Sequence, residues 1–324
     1  MLTDLDKKQL VRLNDQLSGG VKIGLAASEH AQTPLFKEFC DELSHLVPNI
    51  RITSEDSSPN QPPQIFIGEG IRYQAIPGGL EMLPFTEALA AMDSGPEPLS
   101  DSIKTRLEQN DLPATLVAYI SPQCTFCPQV ISDLIPLSMA DLGVQLIVID
   151  GTLFPESAQN HKIQSVPTIL LDEQFRWTGT IALDELVDAI CTRDPAKLGV
   201  NSMQSILKDG QAGHLAAMML EAQKLFPAFY DLLTHDKWPV RLGAMVVMEE
   251  IAQEASGLAA DAIDPLWERF ENAGDQIKGD ILYLFGEIGS KRVIPWLEGV
   301  INGGYDDEVK EAAQEAMEKL TGDN

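Results

Sequence analysis

Basic residues, cysteines and long apolar runs are all scarce in this chain. Only 23 of its 324 residues are Lys or Arg, against 49 Asp or Glu, for a formal net charge of -26. That imbalance argues against nucleic acid or an anionic membrane as the partner, because both would repel the surface. The acid is not a tail. Residues 1–200 carry 13 basic and 27 acidic side chains (net -14), and residues 201–324 carry 10 and 22 (net -12). No apolar run approaches the ~20 residues that span a bilayer. The start, Met1-Leu2-Thr3-Asp4-Leu5-Asp6, has acids where a secretory leader has a basic region, so a cytoplasmic location is expected. Cys40, Cys124, Cys127 and Cys191 are too few and too scattered for a disulfide framework. What remains is an ordinary globular balance, 44% hydrophobic and 22% charged, which excludes wholesale disorder.

At roughly 150 residues per domain the length suggests two or three domains. Asp93-Ser94-Gly95-Pro96-Glu97-Pro98 is a linker by composition. Before it, apolar spacing predicts helices over 7–17, 35–46 and 83–92 and strands over 21–26, 50–54 and 64–67. After it the order repeats, with a helix over 99–110, a strand over 115–120, and a helix from the Cys124–Cys127 pair to about 140. Strands over 144–149 and 168–171 and a helix over 183–191 complete it. The two segments read as copies. Pro63 and Pro167 each open a strand; Arg72-Tyr73 and Arg176-Trp177 follow at the same offset, as do Glu81 and Glu185. From about residue 200 strand signals vanish. Proline-led helices at Pro227, Pro265 and Pro295 are each followed by a second helix, opening at Val240, Ile277 and Val309, the pattern of a helical solenoid. Its core would take Leu242, Met245, Val246 and Ile251, then Ile281, Leu284 and Ile288, then Ala312, Ala316 and Leu320.

Ser121-Pro122-Gln123-Cys124-Thr125-Phe126-Cys127-Pro128 lies between a strand and a helix. Free N–H groups and the macrodipole at a helix start stabilise an anion, so Cys124 is the expected attacking thiolate and Cys127 the resolving thiol. A proline opening a strand beside such a site, in Ser165-Val166-Pro167, suggests a cis peptide bond. The Val166 backbone then pairs with an extended substrate, and Thr125 and Phe126 join it as substrate-binding candidates. The competing reading, half a zinc site, needs two more ligands, and five histidines supply no CxxH or HxxxH. Cys40 and Cys191 read as small buried apolar residues, and His30 and His161 as surface polar ones. On base rates Glu81 and Glu185 are solvated.

These residues resemble a tandem pair of thioredoxin folds, most of all the N-terminal domain of the alkyl hydroperoxide reductase flavoprotein and the archaeal-type protein disulfide oxidoreductases. The features that carry the resemblance are Cys124-Thr125-Phe126-Cys127-Pro128, Ile149-Asp150-Gly151, Ser165-Val166-Pro167, Arg72-Tyr73 and Pro77-Gly78-Gly79-Leu80-Glu81. The resemblance implies a first fold without cysteines, as in Ala27-Ser28-Glu29-His30, and a glutamate from it, Glu81, that transfers a proton at the cysteines. Ala118 stands where ordinary thioredoxins carry a buried aspartate. No GxGxxG follows any strand, so the flavin and nicotinamide domains of that flavoprotein are not expected here, and residues 200–324 resemble HEAT repeats instead.

The expected fold is α/β plus all-α, with a thioredoxin-like fold over 1–98, a second with the redox pair over 99–195, and HEAT-like repeats over 196–324. The expected function is a thiol–disulfide oxidoreductase, glutaredoxin-like in a lesser variant, with Cys124, Cys127, Pro167 and Glu81 as catalytic candidates. It needs no cofactor or metal. Its partners are a protein disulfide, a thiol or flavoprotein electron donor, and a protein at the repeats. The alternative is a redox-sensing adaptor without turnover.

Overall fold

The structure, a computed structural model, describes residues 2–55, 61–208 and 210–322; Met1 of the acidic start lies outside the described residues. The chain forms two compact units, Met1–Arg193 and Asp194–Asn324.

The first unit is built on one eight-stranded sheet. Its first half runs α1 (Asp4–Gln16), β1 (Val21–Ala26), α2 (Thr33–Leu46), β2 (Ile50–Glu55), β3 (Gln64–Ile67), β4 (Ile71–Gln74), a 3-10 turn (Gly79–Glu81) and α3 (Met82–Ser94). The second half runs α4 (Asp101–Glu108), β5 (Ala114–Ile120), α5 (Cys127–Met139), β6 (Val144–Asp150), α6 (Pro155–Asn160), β7 (Thr168–Leu171), β8 (Phe175–Thr178) and α7 (Leu183–Thr192). The strand order is β2-β1-β3-β4-β6-β5-β7-β8. β5 and β6 are apolar runs with almost every residue buried, as central strands covered on both faces must be.

The halves share more than element order. In one hairpin Ile65 pairs with Tyr73 and Phe66 with Arg72; in the other Ile169 pairs with Trp177 and Leu170 with Arg176. Each residue of the second hairpin stands 104 positions after its counterpart, the separation of Pro63 and Pro167. The halves meet where β4 pairs in parallel with β6, Ile71 opposite Leu146 and Gln74 opposite Ile149. Gly70 has to be glycine there, because a Cβ would lie 1.8 Å from the Ser138 carbonyl oxygen at the end of α5. Phe154, from the second half, packs its ring between His30 and Phe36 of the first, with centroids 5.6 and 6.2 Å away.

The second unit is helical among the described residues: α8 (Val200–Lys208), α9 (Ala212–Ala222), α10 (Phe229–Leu233), α11 (Trp238–Glu254), α12 (Ser256–Ala260), α13 (Ile263–Phe270), α14 (Asp275–Ile288), α15 (Ile294–Ile301) and α16 (Asp307–Thr321). α13 packs on α14 and α15 on α16, while α14 also packs on α11 and α16. Three core expectations need correction. Leu242 and Val246 are 41% and 45% exposed, and Ala312 is only half-buried beside a fully buried Ala313. The cause on α11 is Arg241. A charged residue reads as solvent-facing, which rotates the expected core face by one residue. Arg241 is in fact buried, donating to Asp280 Oδ2 at 2.6 Å and to the carbonyls of His235 and Asp236. A charge so paired tolerates burial. No helix among the described residues is long and apolar enough to cross a membrane.

Candidate redox site

β5 delivers the chain to a turn at 121–126, and α5 starts at Cys127. Cys124 therefore lies in the turn before the helix, two residues ahead of its N-cap Phe126, and not within the first helical turn. The Ser121 carbonyl holds the turn by accepting from the Cys124 N–H at 3.0 Å. Cys124 and Cys127 are joined as a disulfide with Cα atoms 5.5 Å apart. Cys124 is half-buried and Cys127 fully buried, so an incoming group reaches Cys124 first. The Cys127 N–H points at Cys124 Sγ, 3.1 Å away. On reduction that N–H and the start of a 13-residue helix favour a thiolate at Cys124. Thr125 and Phe126, between the cysteines, are both exposed.

Val166–Pro167 is a cis peptide bond. The Val166 carbonyl oxygen lies 3.7 Å from Cys124 Sγ. The Pro167 carbonyl accepts from the Gly179 N–H at 2.8 Å, and Thr168 Oγ1 donates to the Ser165 carbonyl at 2.8 Å, which fixes the loop against β8. Cys124, Cys127, Val166 and Pro167 thus converge at one end of the sheet.

Glu81 arrives from the other half. Gly79 opens its turn at φ +60°, a conformation that favours glycine, and donates its N–H to Asp6 Oδ1 at 2.9 Å. Asp6 is itself fixed by a capping box with Thr3 at the start of α1. The turn packs against α5, and α3 lies beside α5, with Ser132 Oγ donating to Glu87 Oε2 at 2.5 Å. Glu81 is 3% exposed, and neither carboxylate oxygen has a hydrogen-bond partner among the described residues. Burial, with the charge of Asp150 adding to it, pushes the Glu81 carboxyl up to about 7. The base-rate expectation of a solvated Glu81 is thereby corrected. Glu185, at the matching offset, is exposed and accepts from Trp177 Nε1 at 3.2 Å.

Asp150, which the sequence reading named only within Ile149-Asp150-Gly151 and gave no role, is a further residue of the site. It ends β6, is buried, and accepts from Thr152 N and Oγ1 at 2.8 and 2.7 Å. An acid closing an otherwise apolar strand was the available signal. The remaining thiols are poor nucleophiles. Burial pushes Cys40 up to about 12, and burial also raises the half-buried Cys191. His30 and His161 are half-buried: the His30 ring packs on Phe154, and His161 Nδ1 lies 2.5 Å from the Tyr119 hydroxyl.

A thioredoxin-domain family, Thioredoxin_3, matches residues 115–192. The chain carries a thioredoxin-like α/β region followed by a helical carboxy-terminal part. Within that class it is similar to the F component of alkyl hydroperoxide reductase from Pseudomonas putida, 23% identical over 67% of this chain and 44% of that protein. The chain thus spans less than half the length of that curated relative. Among solved structures, the NTD_N/C domain of the alkylhydroperoxide reductase of Enterococcus faecalis superposes with a TM-score of 0.51 at 20% identity, covering 59% of this chain and 100% of that one. A protein disulfide oxidoreductase from Aeropyrum pernix gives 0.51 at 14% identity, covering 59% and 93%. At these identities the structural likeness is one of fold.

Proposed function

We propose that this chain is a thiol–disulfide oxidoreductase acting on protein disulfides through Cys124 and Cys127. The observation that carries this is the setting of Cys124 Sγ, with the Cys127 N–H at 3.1 Å on one side and the Val166 carbonyl at 3.7 Å on the other. The first stabilises a thiolate; the second, beside cis-Pro167, offers backbone for an extended substrate.

In the reduced protein the Cys124 thiolate attacks one sulfur of the substrate disulfide. A mixed disulfide forms and one substrate thiolate leaves. Cys127 then loses its proton and attacks Cys124 Sγ, releasing the second substrate thiolate and closing the Cys124–Cys127 disulfide. Glu81, with its carboxyl near 7, takes the Cys127 proton. Two electrons pass from the protein to the substrate, and a dithiol or flavoprotein donor restores them. Exposed Thr125 and Phe126 contact the substrate beside Cys124.

We read the two halves, 1–98 and 99–195, as tandem thioredoxin folds, the first without cysteines. Equal strand order and equal hairpin register support this. Residues 196–324 we read as HEAT-like repeats that recruit a protein partner; the layered packing of α11, α14 and α16 supports that. We place the protein in the cytoplasm.

A Cys127→Ser protein tests the chemistry. It should retain its substrate as a stable mixed disulfide at Cys124, to be identified by mass spectrometry, while the wild-type protein turns over an insulin-type disulfide with a dithiol donor. One equivalent of thiol chemistry without turnover would instead mark a redox-sensing adaptor.

A further inference from the structure

The α/β unit contains a cleft of about 260 Å³ that reaches the redox loop. Leu35 and Phe39 from α2, Ile76, and Leu153 from the loop after β6 give it an apolar floor. Pro122, two residues before Cys124, lies on its edge. An apolar cavity of roughly 150 Å³ holds a benzene ring, so this one has room for a large side chain and adjoining backbone.

The rim is acidic. Glu38, Glu42 and Asp150 line the cleft, and no basic residue among the described ones does. Glu42 is already held by Lys7 Nζ at 2.8 Å, which shows that an ammonium is accommodated at this edge. Asp150 is engaged by Thr152. Glu38 is exposed and has no ion-pair partner among the described residues, leaving it as the open carboxylate. Outside the cleft, two large apolar side chains of the same unit are also exposed: Leu80, in the turn that follows the 76–78 segment, at 51%, and Phe126, between the cysteines, at 66%.

We propose that this cleft is a specificity site for the protein disulfide. It takes a segment of the partner in which a large apolar side chain fills the Leu35–Phe39–Ile76–Leu153 floor and a neighbouring Lys or Arg reaches Glu38. The proposal rests on the oxidoreductase function above and adds its substrate class: a disulfide-bearing polypeptide with an apolar–basic segment outside the cysteine motif. Charge complementarity selects that occupant, because an acidic segment would meet the open Glu38 carboxylate, and an unpaired polar one the apolar floor.

The test uses the full chain, dithiothreitol as donor, and three synthetic peptides with the same internal disulfide. Their flanks are Leu-Lys, Leu-Glu and Ser-Lys, and a small aromatic disulfide serves as a substrate too small to use the cleft. The Leu-Lys peptide should have the highest kcat/KM, by about tenfold or more over Ser-Lys, since a filled apolar pocket discriminates on that scale. It should exceed Leu-Glu by about threefold or more, as a rim charge does. Glu38→Lys should reverse the Lys–Glu preference and leave reduction of the small disulfide unchanged. Glu268→Lys, an exposed site in the helical unit with the same charge change, should leave the preference intact and so separates the cleft from the overall charge of -26. Leu35→Ala should lower the Leu–Ser discrimination. Reduction of all three peptides at one rate, or a preference that Glu38→Lys does not move, overturns the cleft as a specificity site while the redox function stands. Failure to reduce even the small disulfide overturns both.

Discussion

Glu81 and Glu185 occupy the same offset after matched prolines in two halves of the same strand order, yet they have become different chemical groups. Glu185 follows β8, at the end of the strand order, and spends its carboxylate on an indole N–H in solvent. Glu81 follows β4, whose free side was closed by β6 of the other half. Joining the halves put α5 over the Glu81 turn and Asp150 near enough to oppose its charge. The same fate separates Tyr73, wholly buried, from Trp177, half-buried. Two halves of equal strand order and hairpin register thus differ by their position within the joined sheet, which decides which glutamate is buried. The cysteines obey the converse rule: the turn after β1 has an equivalent place in the sheet, but carries Ser28 and Glu29 and no thiol.

The sharpest way to break that comparison is at the thiols. Cys124→Ser should abolish disulfide turnover, a loss of at least about 10³-fold, since no other group supplies the nucleophile. Cys40→Ser and Cys191→Ser should leave it within a factor of about two, as their thiols are raised in pKa by burial. Iodoacetamide at neutral pH should accordingly label Cys124 first in the reduced protein. Preferential labelling of Cys40 would sink the assignment.

Next in size is the glutamate pair. Glu81→Gln keeps the volume and removes the titrating proton, so turnover should fall by about 10- to 100-fold with the fold intact. Its pH dependence near 7 should flatten, because the group titrating there is gone. Glu185→Gln should change neither. Equal effects from the two substitutions would mean that the halves are not chemically distinct.

Stability gives a smaller, signed effect. The Glu81 carboxyl is raised to about 7 in the folded protein from an ordinary 4.5. Between those values the folded state holds the proton that the unfolded state has released. Stability therefore falls as pH rises through that window and levels off above about 7. By this account Glu81→Gln stabilises the protein by about 2–3 kcal/mol at pH 8 and by little at pH 4.5, measured by urea unfolding. A Glu81→Gln protein no more stable at pH 8 than at pH 4.5, relative to the parent, would place a hidden cation beside the carboxylate.

Much of this is legible in the sequence. The CxxC between strand and helix, the Val166–Pro167 loop, and the Pro–Arg–aromatic–Glu spacing are local patterns, and local patterns are what a sequence displays. Three things were not local. The burial of Glu81 depends on β4 pairing with β6 across the linker, which leaves no trace in either half alone. Asp150 belonged to a recognisable motif, but its effect on Glu81 depends on a residue from the other half of the sheet. Arg241 turned α11 by one residue, because a buried ion pair with Asp280 depends on a partner 39 positions away. The rule that charges face water fails at such pairs, and with it went Leu242 and Val246.

The smallest expected effect probes what the joining of the halves left unfinished. Tyr73 sits in β4 with no exposed surface, and its hydroxyl has no hydrogen-bond partner among the described residues. Burial raises its pKa strongly, and Glu81 and Glu87 raise it further, so the phenol stays protonated beside two carboxyls. A buried hydroxyl without a partner costs about 1–3 kcal/mol. Removing it should return part of that, because Phe fills the same ring volume against Phe85, whose ring meets Tyr73 edge-on at 5.4 Å. Tyr73→Phe should thus stabilise by about 0.5–1 kcal/mol, whereas Trp177→Phe on the exposed strand should cost at most about 0.5 kcal/mol. If Tyr73→Phe instead destabilises by more than about 1 kcal/mol, the usual scale of a lost hydrogen bond, the hydroxyl has a working partner. Repeating the measurement in Glu81→Gln then identifies it: coupling between the two substitutions would show that the phenol donates to Glu81, and additivity would place its partner elsewhere.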